Sequence, residues 1–313
     1  MKRYIVASIQ DDFEYYTSKG RWSNAQLDEL MKGLKSHVDV SKYANPKKYN
    51  ADYMAIIRIG LERGEDLRDF VDELKEDKFN EDQRDQILKG LENGVDVSWY
   101  ADSKYDSSQM WQIRKGLENG VDVSVYADPK YDWDQMEEIR YGLKKGVDVS
   151  WYADPKYTSY QMWQILEGLK RGVDVSVYAD PKYDDDQMKQ ILLGLESGVD
   201  VSMYADPRYD HSQMHAIRLG LESGVDVSWY ADPKYDGGQM AEILKGLETG
   251  VDVSIYADPK YDSSQMWQIR KGFEKGGTPP QDNSSQDEPQ DNSSQDEFDY
   301  KQNYVARRGK RRR

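Results

Sequence analysis

One phrase of sequence recurs along this chain with a period of 26 residues. The phrase is GVDVSxYADPKYDxxQMxxIxxGLxx, and its first glycine falls at Gly94, Gly120, Gly146, Gly172, Gly198, Gly224 and Gly250. A fixed period of this length is typical of stacked repeat arrays, in which each unit buries its apolar face only against its neighbours. The sequence therefore predicts one repeat array rather than a set of independent globular domains.

A second recurring glycine extends the array beyond its clearest copies. It lies in the pattern Gly-Leu-Glu/Lys and falls at Gly33, Gly60, Gly90, Gly116, Gly142, Gly168, Gly194, Gly220, Gly246 and Gly272. The first two intervals are 27 and 30 residues long, and the spacing then settles at 26. We therefore expect about ten units, of which the first are irregular.

The start and the end of a helix can be read from one copy of the repeat. Asp132 followed by Gln135 is the capping-box pattern that begins a helix, and Gly146 stands where a helix ends in a left-handed residue, which predicts a helix over 133–145. The same pair of capping residues recurs at Asp106/Gln109, Thr158/Gln161, Asp184/Gln187, Asp210/Gln213, Asp236/Gln239, Asp262/Gln265, Ser23/Gln26 and Asn80/Gln83.

A second, shorter helix is expected after the first. Asp148 can cap it, and Asp154-Pro155 ends it because the residue before a proline avoids helical geometry. Each unit then consists of one helix of about three turns, one helix of about one turn and a tight Asp-Pro-Lys-Tyr turn. The predicted fold class is all-α: an α-solenoid of about ten helix–turn–short-helix repeats with a 26-residue period.

The positions of the long helix divide into a fixed stripe and a variable arc. At 100° per residue, Met136, Ile139 and Leu143 point within about 40° of one another, and every clear copy carries Met, Ile and Leu or Phe there. We expect this stripe to be core. The variable arc is predicted to be surface, and it contains the positions of Trp133, Asp134, Glu137, Glu138, Arg140, Tyr141, Lys144 and Lys145.

The glycine within the long helix costs stability, roughly 1 kcal/mol relative to alanine at each copy. Close approach of a neighbouring helix or of a framework tyrosine such as Tyr126 or Tyr131 is the simplest reason for keeping it. Shared descent is the alternative, because SSQMWQIRKG at 107–116 is repeated at 263–272. The glycine also persists in the divergent first units, which favours packing.

Two resemblances accompany the repeat. The phrase LENGVDVS resembles the end of an ankyrin repeat, but the ankyrin Thr-Pro-Leu-His-x-Ala start is missing and the period of 26 falls short of the ankyrin 33. We interpret this as the same way of ending a helix, not as membership. The full unit resembles 26-residue tandem repeats of uncharacterised bacterial proteins, some of them associated with mobile elements, and this resemblance implies no established activity.

Tryptophans at one variable position are the first candidates for partner binding. Trp111, Trp163 and Trp267 occupy the fifth position after the cap, where other copies carry Glu, Lys, His or Ala, so the fold does not require Trp there. Because Trp is enriched among interface anchors, these residues, together with Trp133 and Tyr160, are predicted to grip a protein or peptide. The alternative is that they pack on the short helix of the next unit.

A second set of tryptophans is expected to be core. Trp99, Trp151 and Trp229 precede the tyrosine of the short helix, where other copies have Val, Met or Ile. Apolar residues at this position in almost every copy indicate partial burial.

Catalysis, metals and cofactors are not predicted. The chain has no cysteine, and His211 and His215, though one helical turn apart, lack the glutamate of a zinc motif. No calcium-loop pattern, nucleophile–base set or phosphate-binding loop stands out from the repeat. We therefore expect a non-enzymatic protein. We expect it to be cytoplasmic, because the sequence shows neither a signal-peptide pattern nor a membrane-spanning run.

Composition changes at the two ends of the array. We expect an N-terminal cap over 1–22, the array over 23–276, a disordered polar linker over 277–306, in which PQDNSSQDE occurs twice, and a basic tail over 307–313. The basic residues of the tail are candidates for contact with nucleic acid or with an acidic surface, and the acidic array itself is one such surface: Arg307, Arg308, Lys310, Arg311, Arg312 and Arg313.

The net charge of the chain bears on its possible function. The net charge is −15, and removing the six positive charges of the tail leaves −21 on the rest, so the array is expected to repel nucleic acid. The favoured prediction is a scaffold that binds a protein or peptide along its variable helix face. The alternative is an acidic mimic of nucleic acid that occupies the DNA site of a DNA-processing or host-defence enzyme.

Overall fold

The computed structural model describes residues 2–76 and 79–275, and over these ranges it contains helices and turns but no strand. The α-helices are α1 (Lys2–Thr17), α2 (Asn24–Lys35), α3 (Ala51–Glu62), α4 (Arg68–Glu76), α5 (Glu81–Asn93), α6 (Ser107–Glu118), α7 (Trp133–Lys144), α8 (Ser159–Arg171), α9 (Asp185–Ser197), α10 (His211–Ser223), α11 (Gly237–Thr249) and α12 (Ser263–Glu274). Three-residue 3₁₀ helices cover Val40–Lys42, Val97–Trp99, Val123–Val125, Val149–Trp151, Val175–Val177, Val201–Met203, Val227–Trp229 and Val253–Ile255.

The predicted α-solenoid is confirmed. The ten long helices of the repeat are α2, α3 and α5–α12, and regular units end with a 3₁₀ helix. The chain divides into two compact units, Met1–Met162 and Trp163–Arg313. In the first unit α5 packs on α6 and α6 on α7, and in the second α9, α10, α11 and α12 pack in sequence. Within each unit, these long helices therefore pack against the next long helix of the array.

The helix boundaries follow the capping residues. The Asp106 carboxylate accepts a hydrogen bond from the Gln109 backbone N–H at 2.8 Å, and the Gln109 side-chain oxygen accepts one from the Asp106 N–H at 2.8 Å. This reciprocal pair satisfies two donors that a helix start leaves without intrahelical partners. At the far end of α7, Gly146 has φ 70°, and the helix stops at Lys144, one residue before the predicted end.

The capping glutamine also joins one repeat to the next. The Gln109 side-chain N–H₂ donates to the Tyr131 carbonyl oxygen at 2.6 Å, and the corresponding bond from Gln135 reaches the Tyr157 carbonyl oxygen at 2.6 Å. Tyr131 extends the link, because its hydroxyl donates to the Ala153 carbonyl oxygen at 2.7 Å. The Asp-Pro-Lys-Tyr turn is thus held by hydrogen bonds to the units on both sides of it.

The predicted short second helix is present, and it is one turn of 3₁₀ helix. Asp122 caps it as predicted, since its carboxylate accepts a hydrogen bond from the Ser124 N–H at 3.0 Å. A 3₁₀ helix has three residues per turn, so positions i and i+3 eclipse. Val123 and Tyr126 accordingly share the inner side and are buried, whereas Ser124 is exposed and Val125 is half-buried.

One early unit departs from this plan, which explains the longer interval in the sequence. After α3 the chain forms α4 instead of a 3₁₀ helix, and Leu67 takes the place of the framework tyrosine. A Cβ at Gly60 would lie 2.6 Å from Leu67 Cγ. At the N-terminus α1 contacts α2, in the region predicted to cap the array.

Candidate binding surfaces

The variable arc of the long helix is less exposed than predicted. Glu137, Glu138 and Arg140 are buried, so the expectation that the whole arc is surface is wrong for these three positions. The physical reason is that a solenoid helix packs between two neighbours, and flanks on both sides of the core stripe are covered. Leu143 of the predicted core stripe is half-buried, whereas Met136 and Ile139 are buried.

The predicted partner-binding residues lie at the margin of these covered flanks. Trp111, Trp133, Trp163 and Trp267 are half-buried, and Tyr160 is exposed. The Arg140 guanidinium lies 5.5 Å from the centroid of the Trp111 ring, close enough for a cation–π interaction with the next helix. Trp111 therefore contributes to packing between repeats, and a role for these five residues in binding stays a prediction.

The tryptophans expected in the core are instead the exposed ones. Side chains at the last position of the 3₁₀ helices are exposed by 41% at Trp99, 42% at Trp151 and Trp229, 41% at Met203 and 43% at Ile255. The prediction of a core position, which was based on apolar residues in almost every copy, is wrong. With three residues per turn, valine and tyrosine occupy the inner side, and the residue before the tyrosine points outward. The Val-Ser-x-Tyr spacing carried this signal.

We call these side chains the 3₁₀ row. In the first unit the row consists of Trp99, half-buried Val125 and Trp151, at equivalent positions of consecutive repeats. In the second unit it consists of half-buried Val177, Met203, Trp229 and Ile255. Single exposed apolar residues are ordinary in proteins, but here an apolar side chain recurs at the same place in consecutive repeats of each unit.

Carboxylates accompany the 3₁₀ row at the same period. Each 3₁₀ helix begins at an exposed aspartate three residues before the row position, as Asp226 precedes Trp229. Hydrogen bonds from the serine side chain and the serine N–H lower the pKa of Asp200, and the same bonds lower the pKa of Asp226 and Asp252. These carboxylates are therefore ionised at neutral pH, and they border the apolar strip with negative charge.

The Asp-Pro-Lys-Tyr turn supplies a second charged edge. Lys234 lies 3.0 Å from the Asp232 carboxylate, and Lys260 lies 2.9 Å from the Asp258 carboxylate. These pairs are well exposed, and exposed ion pairs contribute little to stability. The lysines neutralise the aspartates of the turn, whereas the cap aspartates beside the row accept hydrogen bonds from serine, which carries no charge.

The two histidines of α10 have structural neighbours. His215 Nδ1 lies 3.3 Å from the Gln190 side-chain oxygen and 3.1 Å from an Arg218 guanidinium nitrogen. Over residues 2–76 and 79–275 no group of three histidine, aspartate or glutamate side chains is placed to hold a metal ion. In the same ranges no helix is long and apolar enough to cross a membrane.

The predicted linker 277–306 and the basic residues from Arg307 to Arg313 lie outside the described residues. Their assigned roles stay predictions. Comparison of the chain with protein-family models, with curated proteins and with solved structures finds no match. The surface chemistry of the repeats is therefore the feature of this chain that points to a function.

Proposed function

We propose that this chain is a non-enzymatic scaffold that binds a protein or an extended peptide along its repeats. The observation that carries the proposal is the 3₁₀ row, which presents Trp99 and Trp151 in the first unit and Met203, Trp229 and Ile255 in the second, all exposed. Large apolar side chains held on a rigid framework lose little conformational entropy on binding, and tryptophan is enriched among residues that dominate interface energy.

The fold supports this function because it leaves the row outside the core. Each row position is flanked by an inward valine and an inward tyrosine, as Val227 and Tyr230 flank Trp229. The backbone of the row is therefore fixed by buried neighbours while its side chain varies among Trp, Val, Met and Ile. Such a strip can change its specificity from copy to copy without a change in the fold.

The half-buried tryptophans of the long helix form the second contact in this proposal. Replacing Trp111, Trp163 and Trp267 by alanine is expected to weaken binding less than replacing Trp99, Trp151 and Trp229, because the first set is partly covered by neighbouring repeats. The first set should also cost more stability, since Trp111 packs near Arg140.

The test is a pull-down with the full-length protein from a nuclease-treated extract of its native host, at low and at high salt. A partner that survives high salt and is lost with Trp99, Trp151 and Trp229 replaced by alanine supports the scaffold. The matched control is the Trp111, Trp163 and Trp267 variant, which keeps the exposed row. Partners retained equally by both variants would refute binding through these tryptophans.

The nucleic-acid mimic is the second candidate, and it is favoured by the regular cap aspartates. Asp122 and Asp148 in the first unit and Asp174 to Asp252 in the second repeat with the period of the array, and their pKa values are lowered by bonds from serine. A mimic should bind DNA-handling enzymes in a manner that salt weakens and that duplex DNA displaces. Binding that is indifferent to DNA and salt would exclude it.

A further inference from the structure

We propose that residues 298–313 of this chain dock on the 3₁₀ row of the second unit, so that the chain carries its own competitor for the surface assigned above. The inference deepens the proposed function, because it names the chemistry that this surface accepts. The occupant is an aromatic and basic segment, Phe-Asp-Tyr-Lys-Gln-Asn-Tyr-Val-Ala followed by Arg-Arg-Gly-Lys-Arg-Arg-Arg.

Charge complementarity is the first support. Residues 298–313 contain seven lysines and arginines and a single acid, Asp299. Residues 276–313 contain equal numbers of acidic and basic side chains, so the entire net charge of −15 falls on residues 1–275. Opposite charges on one chain attract each other over about one Debye length, roughly 8 Å at physiological salt.

The surface and the segment also match in pattern. The row offers Met203, Trp229 and Ile255 as an apolar strip, bordered at the same period by Asp200, Asp226 and Asp252. The segment offers Phe298, Tyr300, Tyr304 and Val305 together with its basic residues. Tyrosine and phenylalanine cover the apolar strip, and arginine pairs with carboxylates in a bidentate manner and stacks on tryptophan.

The length of the connection permits docking within one chain. The described part ends at residue 275 after α12, and 22 residues, 276–297, separate it from the segment. For comparison, a polypeptide of 22 residues with the statistics of a random coil has an r.m.s. end-to-end distance of about 26 Å, or about three helix spacings of 8–10 Å. The three exposed row positions of the second unit lie within the last repeats of the array, so the segment reaches them first.

Cysteine cross-linking tests the docking directly, because the chain contains no cysteine of its own. In the full-length protein we pair Gln302→Cys with Ser228→Cys, beside Trp229, and measure the rate of disulfide formation under mild oxidation. The control pairs Gln302→Cys with Lys245→Cys, which is exposed on the long helix α11 and belongs to no 3₁₀ helix. We expect the Ser228 pair to link within one chain at least about tenfold faster than the control.

Matched substitutions identify the groups responsible. Changing Trp229 and Ile255 to alanine, or Arg311, Arg312 and Arg313 to serine, should reduce the Ser228 rate to that of the control, and 1 M NaCl should reduce it as well. Trp99→Ala with Trp151→Ala, in the first unit, should leave the rate unchanged. Equal rates for the two cysteine pairs, or links only between molecules, would overturn the proposal.

The outcomes for the tail and for the scaffold are separable. If the segment cross-links as expected but the row captures no partner, the docking stands and the scaffold function falls. If a partner is captured through Trp99, Trp151 and Trp229 while both cysteine pairs react at the same rate, the scaffold stands and the docking falls.

Discussion

At the residue scale, the mid-helix glycine has no side chain, and the hydroxyl of a buried tyrosine occupies the space. The Tyr126 hydroxyl donates to the Gln112 carbonyl oxygen at 3.1 Å, and in an α-helix the same oxygen accepts the N–H of Gly116. A Cβ at Gly116 would lie 1.9 Å from that hydroxyl and 2.8 Å from Val123 Cγ1. Glycine is therefore required for the tyrosine to reach the helix, which confirms the packing explanation over shared descent.

The first prediction concerns this contact. Gly116→Ala should lower the free energy of unfolding by about 1–2 kcal/mol, because overpacking of about 2–3 kcal/mol outweighs the gain in helix propensity of about 1 kcal/mol. Urea denaturation followed by circular dichroism measures the change. Tyr126→Phe in the same chain removes the clashing hydroxyl, so the double variant should be more stable than the sum of the two single changes predicts. Stabilisation by Gly116→Ala alone would contradict the packing.

The second prediction concerns alkaline pH. Burial raises the pKa of the Tyr256 hydroxyl to about 12 and also raises the pKa values of Tyr126 and Tyr204. A raised folded-state pKa means that the stabilisation is complete below the unfolded value of about 10 and is lost as pH rises toward 12. Absorbance at 295 nm should therefore rise together with loss of the helical signal over that range. Full ionisation of the tyrosines in a chain that stays helical would contradict it.

At the element scale, a hydrogen bond between two polar side chains joins several pairs of neighbouring long helices. One member is an arginine that stands two residues before the mid-helix glycine. Its partner is a glutamate or glutamine on the preceding long helix, four residues before the glycine of that helix. Arg140 Nε lies 2.8 Å from the Gln112 side-chain oxygen, and Arg270 Nε lies 2.9 Å from the Glu242 carboxylate. The other members are Arg58 with Glu29, Arg114 with Gln86 and Arg218 with Gln190.

Some copies of the long helix carry leucine in place of the arginine. Leu244 follows Ala216 at the same spacing, so both members of that pair are apolar. Glu138 and Gln164 are exceptions, since the residues 28 positions later are Leu166 and Leu192. Within the described part of the chain the side-chain nitrogen of Gln164 has no hydrogen-bond partner. A buried amide without partners costs stability rather than adding it.

The third prediction compares two glutamines of equal burial. Gln112→Leu should destabilise the protein by about 1–3 kcal/mol, because it removes an acceptor that bonds the buried Arg140 side chain. Gln164→Leu should be neutral or stabilising, because it replaces a buried amide whose nitrogen is unsatisfied. Thermal and urea unfolding of the two variants measures the difference. A similar loss in both would show that the arginine bond does not set the helix pairing.

At the scale of the whole molecule, the stability of a solenoid is approximately a sum over units and their interfaces. One repeat can then replace another without loss of stability only where its side chains pair with those of the adjacent repeats. Gln86 and Gln112 both pair with an arginine of the next helix, whereas Gln190 pairs with Arg218 and the following helix carries Leu244. The order of copies is therefore constrained by the polar pairs, although the repeat itself is nearly uniform.

The fourth prediction follows from deleting one period. Removing 107–132 brings Arg140 opposite Gln86 and keeps a glutamine–arginine pair, so the urea midpoint should change little. Removing 211–236, which is equally long, leaves Gln190 opposite Leu244 and should lower the midpoint clearly. Each deletion keeps an aspartate cap three residues before a glutamine. Equal behaviour of the two shortened chains would show that the interface pairs are interchangeable.

The sequence by itself determined the period, the number of long helices, their caps and their glycine ends, because these depend on local hydrogen bonding and on backbone conformation. Asp132, Gln135 and Gly146 were sufficient to place α7 within one residue. The α-solenoid follows from the repeat, because such a unit cannot bury its own apolar face.

The tertiary structure alone decided which variable positions are covered. Glu138 and Arg140 vary between copies yet are buried, and Arg140 faces the preceding repeat, where its guanidinium bonds the Gln112 side chain. Trp151 and Trp229 are apolar yet exposed, because a 3₁₀ turn of three residues directs them away from the core. A position that varies between copies is one at which the fold accepts several residues. Whether its side chain contacts water or another side chain is determined by the packing of one helix against the next.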